Sequence, residues 1–230
     1  CSAKGVSTGQ QQVVVWSRKT GETRQLTHVT GSVNHLAWSP DGRAIAFLFV
    51  SNATRSAGAL DAMKPWSGVI GEDGVEVQGV AVVTVSSREV VQVTPATLHV
   101  YEFDWAPDSK RIAYVAANPP GENNWWVAQL YTQNIVEGGA QGPRSILNPA
   151  RVAGELRGLQ IARPRWSPDG KRIAFIGGLM SDQGSTGGDI YEVLATGGAP
   201  ENIMPDKGVS AAWIDWTGKN TIRYVARSGG

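Results

Sequence analysis

The chain has 230 residues, 41% of them hydrophobic, enough to bury a sizeable core and to exclude a disordered or fibrous protein. Lys and Arg number 21 against 20 Asp and Glu, a net charge of +1 with no basic stripe or acidic tail. Electrostatic capture of nucleic acid or anionic lipid is therefore not expected.

No apolar stretch approaches the ~18 residues of a membrane span. The one cysteine, Cys1, excludes an internal disulfide and argues against a cysteine-built metal site. As a first residue it is compatible with the lipid-bearing start of a mature bacterial lipoprotein, but a fragment that happens to begin at Cys is the favoured reading. The compartment stays open between periplasm, cell exterior and cytoplasm.

In chain order, Val13 to Thr27 reads as a hairpin of two short strands around a Gly-containing turn. Next comes "WSPDGRAIAF", Trp38 to Phe47, a strand, a turn and a strand. The long segment from Ser51 to Gly74 precedes a second hairpin, Val80 to Pro95. The phrase returns as "WAPDSKRIAY" from Trp105 to Tyr114, followed by the loop Ala117 to Asn124 and a hairpin from Trp126 to Pro149 with a longer turn. Glu137 to Gly158 is another stretch longer than a simple turn requires. A third copy, "WSPDGKRIAF", spans Trp166 to Phe175. Gly177 to Gly188 then leads to the hairpin Asp189 to Pro205. An eroded copy, "WTGKNTIRY", Trp216 to Tyr224, closes the series.

The motif tryptophans lie 67, 61 and 50 residues apart. That spacing is too uneven for a tightly stacked solenoid, and it suits a fixed frame with variable loops. About sixteen strands result, and no convincing helix; "ARVAGELRGLQIA" is the best helical candidate and a weak one. Four strands per repeat is the signature of β-propeller blades. The expected architecture is all-β, one partial propeller over 1–230 with about four four-stranded blades. It comprises a half blade at 12–27, blades at 33–95, 99–149 and 159–205, and a half blade at 209–230.

Within the motif, Ser-Pro-Asp-Gly fits the four positions of a type I turn. The second copy has Ser109 in place of Gly42 and Gly170, which predicts a more strained turn. The fourth copy is one residue shorter between Trp216 and Ile222. The strand Ile-Ala-Phe is apolar on both faces and must be covered on both. Ile173 and Phe175 are expected to fill one inter-blade space, with Ala174 admitting the other neighbour. Arg223 replaces that alanine in the last copy, so one face there should be packed differently.

Repeated carboxylates suggest metal or acid–base chemistry, but Asp41, Asp108 and Asp169 occupy equivalent turns around a ring rather than one site. With Trp38, Gly42, Trp105, Trp166, Gly170 and Trp216 they read as structural. His28, His35 and His99 have no catalytic context. The patterns G-x-S-x-G and H-E-x-x-H and a phosphate-binding glycine loop are absent. No catalytic residue, metal ligand or cofactor is assigned. Binding belongs to the long loops, where Trp66, Glu72, Asp73, Asn124 and Trp125 are the candidate contacts to a substrate or partner.

The alternation of "WSPDGKRIAF" with "DIYEV…GGAPENIMP" resembles the repeats of two bacterial groups, TolB-type periplasmic propellers and the propeller of the prolyl oligopeptidase family of serine peptidases. The stretches "GENNWWVAQLYT", "LQIARPRWSPDGKRIAFIGGLMSDQGSTGGDIYEV" and "AAWIDWTGKNTIRYVARSGG" look like the peptidase group. That resemblance implies a propeller of seven or eight blades preceding an α/β-hydrolase domain with a Ser-Asp-His triad, capping it and admitting short peptides. This chain supplies about four blades and no triad. Its implied partners are such a hydrolase domain and short peptides; for a stand-alone TolB-like scaffold, the implied partner is another protein.

Overall fold

The computed structural model describes residues 10–53, 75–136, 139–180, 186–205 and 208–228. It consists almost wholly of antiparallel strands. The first hairpin pairs β1 (Val14–Trp16) with β2 (Thr23–Gln25). A four-stranded sheet follows in chain order: β3 (Gly31–Trp38), β4 (Ala44–Ser51), β5 (Gly79–Thr84) and β6 (Val90–Gln92). The next sheet orders β7 (His99–Trp105), β8 (Arg111–Ala117) and β9 (Gln129–Val136). Against β9 lie the two-residue β10 (Gly139–Ala140) and β11 (Arg144–Leu147). The third sheet orders β12 (Gln160–Trp166), β13 (Arg172–Gly178), β14 (Asp189–Leu194) and β15 (Glu201–Asn202). A last two-stranded sheet pairs β16 (Val209–Gly218) with β17 (Thr221–Ser228). Three complete blades thus stand between two hairpins, giving a partial β-propeller.

Short helical elements interrupt the strands: after β8 these are a single turn, α1 (Gly121–Asn124), and a 3-10 turn at Trp125–Val127. The segment with the best helical spacing forms only a 3-10 turn at Pro149–Arg151 before joining β12. Gly154 and Gly158 sit at φ +82° and +76°, left-handed conformations that end any helix there.

The motif turns follow their chemistry. Gly42 N–H and Gly170 N–H donate to the carbonyls of Ser39 and Ser167 at 2.9 and 2.8 Å, closing each turn. Asp41 accepts from the Ser39 hydroxyl at 2.7 Å and the Arg43 N–H at 3.0 Å, and Asp169 does the same with Ser167 and Lys171. Ser109 occupies the glycine position at φ +58°, close to the +71° and +68° of Gly42 and Gly170. That strained backbone coexists with a contact glycine cannot make: its hydroxyl accepts the Asp41 N–H of the preceding blade at 3.0 Å. In the shortened fourth copy Trp216 still pairs with Ile222, as Trp166 does with Ile173, and a register shift absorbs the missing residue.

Each blade presents a bulky face backward and a small one forward. Ile45, Phe47 and Phe49 pack with Val13 and Leu26 of the first hairpin, while Ala46 and Leu48 pack with Ile112 and Tyr114. Ile173 and Phe175 meet Ala113, Val115 and Leu130; Ala174 and Ile176 meet Ala211 and Ile214 of the last hairpin. These central strands are buried on both faces, which explains their unbroken apolar runs. Arg223 breaks the pattern: it ion-pairs with Asp215 at 2.7 Å, lies over the Trp213 ring and stays 63% exposed.

Candidate functional site

In an up-and-down meander, successive connections alternate between the two ends of the sheet. The motif turns and the β5–β6 turn therefore share one face of the array. A cleft of about 1140 Å³ opens there, lined among others by Arg43, Thr84, Trp105 and Ser109. The connections after β4, β8 and β13, and those leading into β7 and β12, emerge on the opposite face. Among the described residues, α1 and the 3-10 turns at Trp125–Val127 and Pro149–Arg151 lie in connections on that side, whereas the β9–β11 turn lies with the motif turns.

The best-described part of this loop face is the segment after β8. Asn124 ends α1, and its amide donates to the Asn118 carbonyl at 2.9 Å, drawing the loop closed. The ring of Trp125 stacks on Trp126 at 4.9 Å. Trp125 is half-buried against the cores on either side of the third blade, whereas Trp126 and Val127 are exposed. Trp125 is thus an anchor and Trp126 the displayed surface. Trp126 was not among the sequence candidates, although the doubled "WW" was the available signal. Leu179, after β13, adds a further exposed apolar side chain. Trp66, Glu72 and Asp73 lie outside the described residues.

Beneath α1 sits a buried pair. The Tyr101 hydroxyl donates to the Gly121 carbonyl at 2.7 Å, and Gly121 lies so near the His99 ring that a Cβ there would come within 2.6 Å of it. His99 is fully buried. Its Nδ1 accepts the Gln78 N–H at 3.3 Å, and its Nε2 has no partner among the described residues. Burial lowers its pKa to about 4, so the imidazole is neutral at pH 7 and serves as packing for the loop.

The innermost strands carry a charged ladder that sequence reading passed over. Arg163, at φ +56° in the β12 bulge, ion-pairs with Glu102 of β7 at 3.3 Å and also donates its N–H to that carboxylate. Asp104 accepts the Trp166 N–H at 2.8 Å; burial pushes its pKa up to about 6, opposed by that hydrogen bond and by Arg165. The signal lay just before the last three motif tryptophans, in "EFDW", "RPRW" and "WIDW", where opposite charges sit at matching positions of adjacent repeats.

The motif aspartates are engaged within their own turns. The Ser39 hydroxyl holds Asp41 below the usual carboxylate range, and the Ser167 hydroxyl does so for Asp169. For Asp108, partial burial acts upward, but the Lys110 N–H and the Arg111 guanidinium outweigh it. Among the described residues no three acidic, histidine or cysteine side chains converge as metal ligands, and no helix is long and apolar enough to cross a membrane.

No family model and no curated protein sequence matches this chain. Solved structures do. A TolB protein of Agrobacterium tumefaciens superposes with a TM-score of 0.57 at 13% identity, over 96% of this chain and 68% of that one. Oligogalacturonate lyase of Vibrio parahaemolyticus gives 0.63 at 15% identity, over 96% and 54%. The acylaminoacyl peptidase of Pyrococcus horikoshii gives 0.56 at 15% identity, over 94% of this chain but only 32% of that one. In fold, then, the chain is a partial β-propeller, similar to TolB-like propellers and to the propeller portions of prolyl oligopeptidase-type peptidases.

Proposed function

We propose that this chain is the non-catalytic propeller portion of a prolyl oligopeptidase-like serine peptidase. It caps a hydrolase domain and limits access to short peptides. The observation that supports this reading most is the loop face. A buried His99–Tyr101 base carries α1 and a stacked tryptophan pair, half of it exposed, on the side where the variable loops emerge. A rigid scaffold presenting an aromatic, loop-rich surface suits recognition rather than chemistry. Asn124, Trp125 with the exposed Trp126 stacked on it, and Trp66, Glu72 and Asp73 are the proposed contacts to peptide or partner. The blade boundaries 33–95, 99–149 and 159–205, flanked by half blades 12–27 and 209–230, belong to the same proposal.

The test is the gene and its product. A G-x-S-x-G motif is expected within the next ~400 residues downstream. In the full protein, Trp126→Ala should raise KM for peptide substrates while leaving turnover of a small activated ester unchanged. Absence of the motif together with no peptide hydrolysis would sink the proposal.

The second reading is a stand-alone TolB-like scaffold for protein–protein interaction, favoured by the larger share of the TolB chain that is covered. A stoichiometric periplasmic partner lost in Trp126→Ala, with no hydrolase sequence downstream, would favour it instead.

A further inference from the structure

The motif turns of the three complete blades share one frame, so their side chains can be compared position by position. The N–H groups of Ser39, Ala106 and Ser167 donate to the carbonyls of Ala44, Arg111 and Arg172, which makes those three acceptor residues equivalent. By the same count Asp41, Asp108 and Asp169 are equivalent, and so are Gly42, Ser109 and Gly170.

Between the second and third blades, Arg111 acts as a clasp. Its Nε donates to Asp108 Oδ2 of its own turn at 2.8 Å, and its Nη2 donates to the Gly170 carbonyl of the next turn at 3.3 Å. Its Cζ lies 4.6 Å from the centre of the Trp166 ring. A guanidinium suits all three contacts at once, because its plane stacks on an aromatic face while its edge donates to oxygen. Arg172, one blade further on, turns instead to Glu192 at 3.0 Å.

Between the first and second blades the receiving groups are present and the clasp is not. Ala44 stands where Arg111 stands, and its side chain stops at Cβ. Asp41 takes the place of Asp108, the Ser109 carbonyl that of Gly170, and Trp105 that of Trp166. All four of these residues line the cleft of about 1140 Å³, where Trp105 shows 7% of its surface. Asp41 accepts from Ser39 and Arg43 on Oδ1, as Asp108 accepts from Lys110 on Oδ1, so Oδ2 of Asp41 corresponds to the oxygen that holds Arg111. The stacked cations among the described residues lie over Trp166 and Trp213, not over Trp105.

We propose that this cleft is a guanidinium-binding site, which takes from outside the group that the next junction supplies with Arg111. The cleft is larger than one guanidinium, and Val82, Val91 and Val93 offer an apolar wall for the stem that carries it. The cations already at the cleft do not oppose this. Arg24 is held on the Val85 carbonyl at 3.1 Å, Arg43 has its counterpart in Lys110 directly beside Arg111, and Glu89 adds a second carboxylate to the wall. Ser109 narrows one side, since a Cβ at Gly170 would come within 3.2 Å of Arg111 Nη2; the guest therefore sits slightly nearer Ala44. The inference does not rest on the peptidase reading, because the site lies on the face opposite α1.

The full protein tests it by isothermal titration. The peptide acetyl-Gly-Arg-Gly-amide should show one saturable site, and the same peptide with uncharged citrulline for arginine should show none. Ala44→Arg fills the cleft from within and should weaken the arginine peptide about tenfold or more, the scale of a desolvated cation–π contact. Asp41→Asn keeps an oxygen for the turn and should weaken it about fivefold. Butylguanidinium separates the sources: affinity equal to the peptide's assigns the site to small guanidinium compounds, and weaker affinity assigns it to a polypeptide, both upholding the proposal. No saturable binding of the arginine peptide, equal binding of the citrulline peptide, or unchanged affinity in either folded variant would overturn it. So would inorganic phosphate, the anion that Arg24 and Arg43 would favour, binding where the peptide does not.

Discussion

His99 and Asp104 sit on the same strand and should respond to acid in opposite directions. The His99 imidazole has a folded pKa of about 4 against an ordinary 6.5, so the unfolded chain binds its proton first. Its contribution to stability is intact above pH 6.5 and is lost as pH falls toward 4. At 1.36 kcal/mol per pKa unit this is a loss of about 3 kcal/mol. Asp104 is raised from 3.8 to about 6, so the folded chain binds its proton first and gains stability as pH falls from 6 toward 4. That gain is also about 3 kcal/mol by the same conversion. The two nearly cancel in the native protein. Replacing His99 with Phe keeps a buried ring and removes one term, so relative to wild type the variant should gain about 3 kcal/mol between pH 7 and pH 4. Asp104→Asn should show the opposite drift. Urea unfolding at pH 7, 5.5 and 4, with the slope m checked for constancy, measures both differences. If both variants track the wild-type profile within about 0.5 kcal/mol, close to the scatter expected for independent sites, the argument from burial fails.

Three further outcomes follow from packing. Phe175→Ala should cost about 3–5 kcal/mol in chemical denaturation, since that ring is fully buried between the second and third blades. Ser167→Ala should cost about 1–2 kcal/mol, because the buried hydroxyl donates to Asp169 and accepts the Arg172 N–H. Gly121→Ala would press a methyl group onto the His99 ring and should destabilise by about 1–3 kcal/mol. It should also shift tryptophan fluorescence as α1 lifts with Trp125; unchanged emission would separate the buried histidine from the loop above it.

The blades were legible in the sequence because a blade is a local object. The turn Ser-Pro-Asp-Gly and the strand Ile-Ala-Phe each declare their conformation within ten residues, and the assignment of Ile173 and Phe175 to one neighbour and Ala174 to the other needs only the period-two alternation of a strand. Departures from local rules were harder. Ser109 reads as a defect until its hydroxyl is seen holding the preceding blade's turn. The Glu102–Arg163 pair joins residues 61 apart and becomes visible only when the repeats are laid side by side. In the loop face the sequence reading names Trp125 and passes over Trp126, yet packing makes Trp125 the anchor and Trp126 the surface. No pattern in one chain encodes that division.

The unequal faces of each blade give the array a direction. A bulky face always looks back toward the preceding blade and a small one forward, so every junction is the same plug meeting the same socket. Such units obey nearest-neighbour energetics, and a blade can be added or removed between two others without redesigning either. A reversed blade, by contrast, would set bulk against bulk on one side and leave a void on the other. Arg223 places a charged group, paired with Asp215, on the forward face of the last hairpin, where the other blades carry alanine.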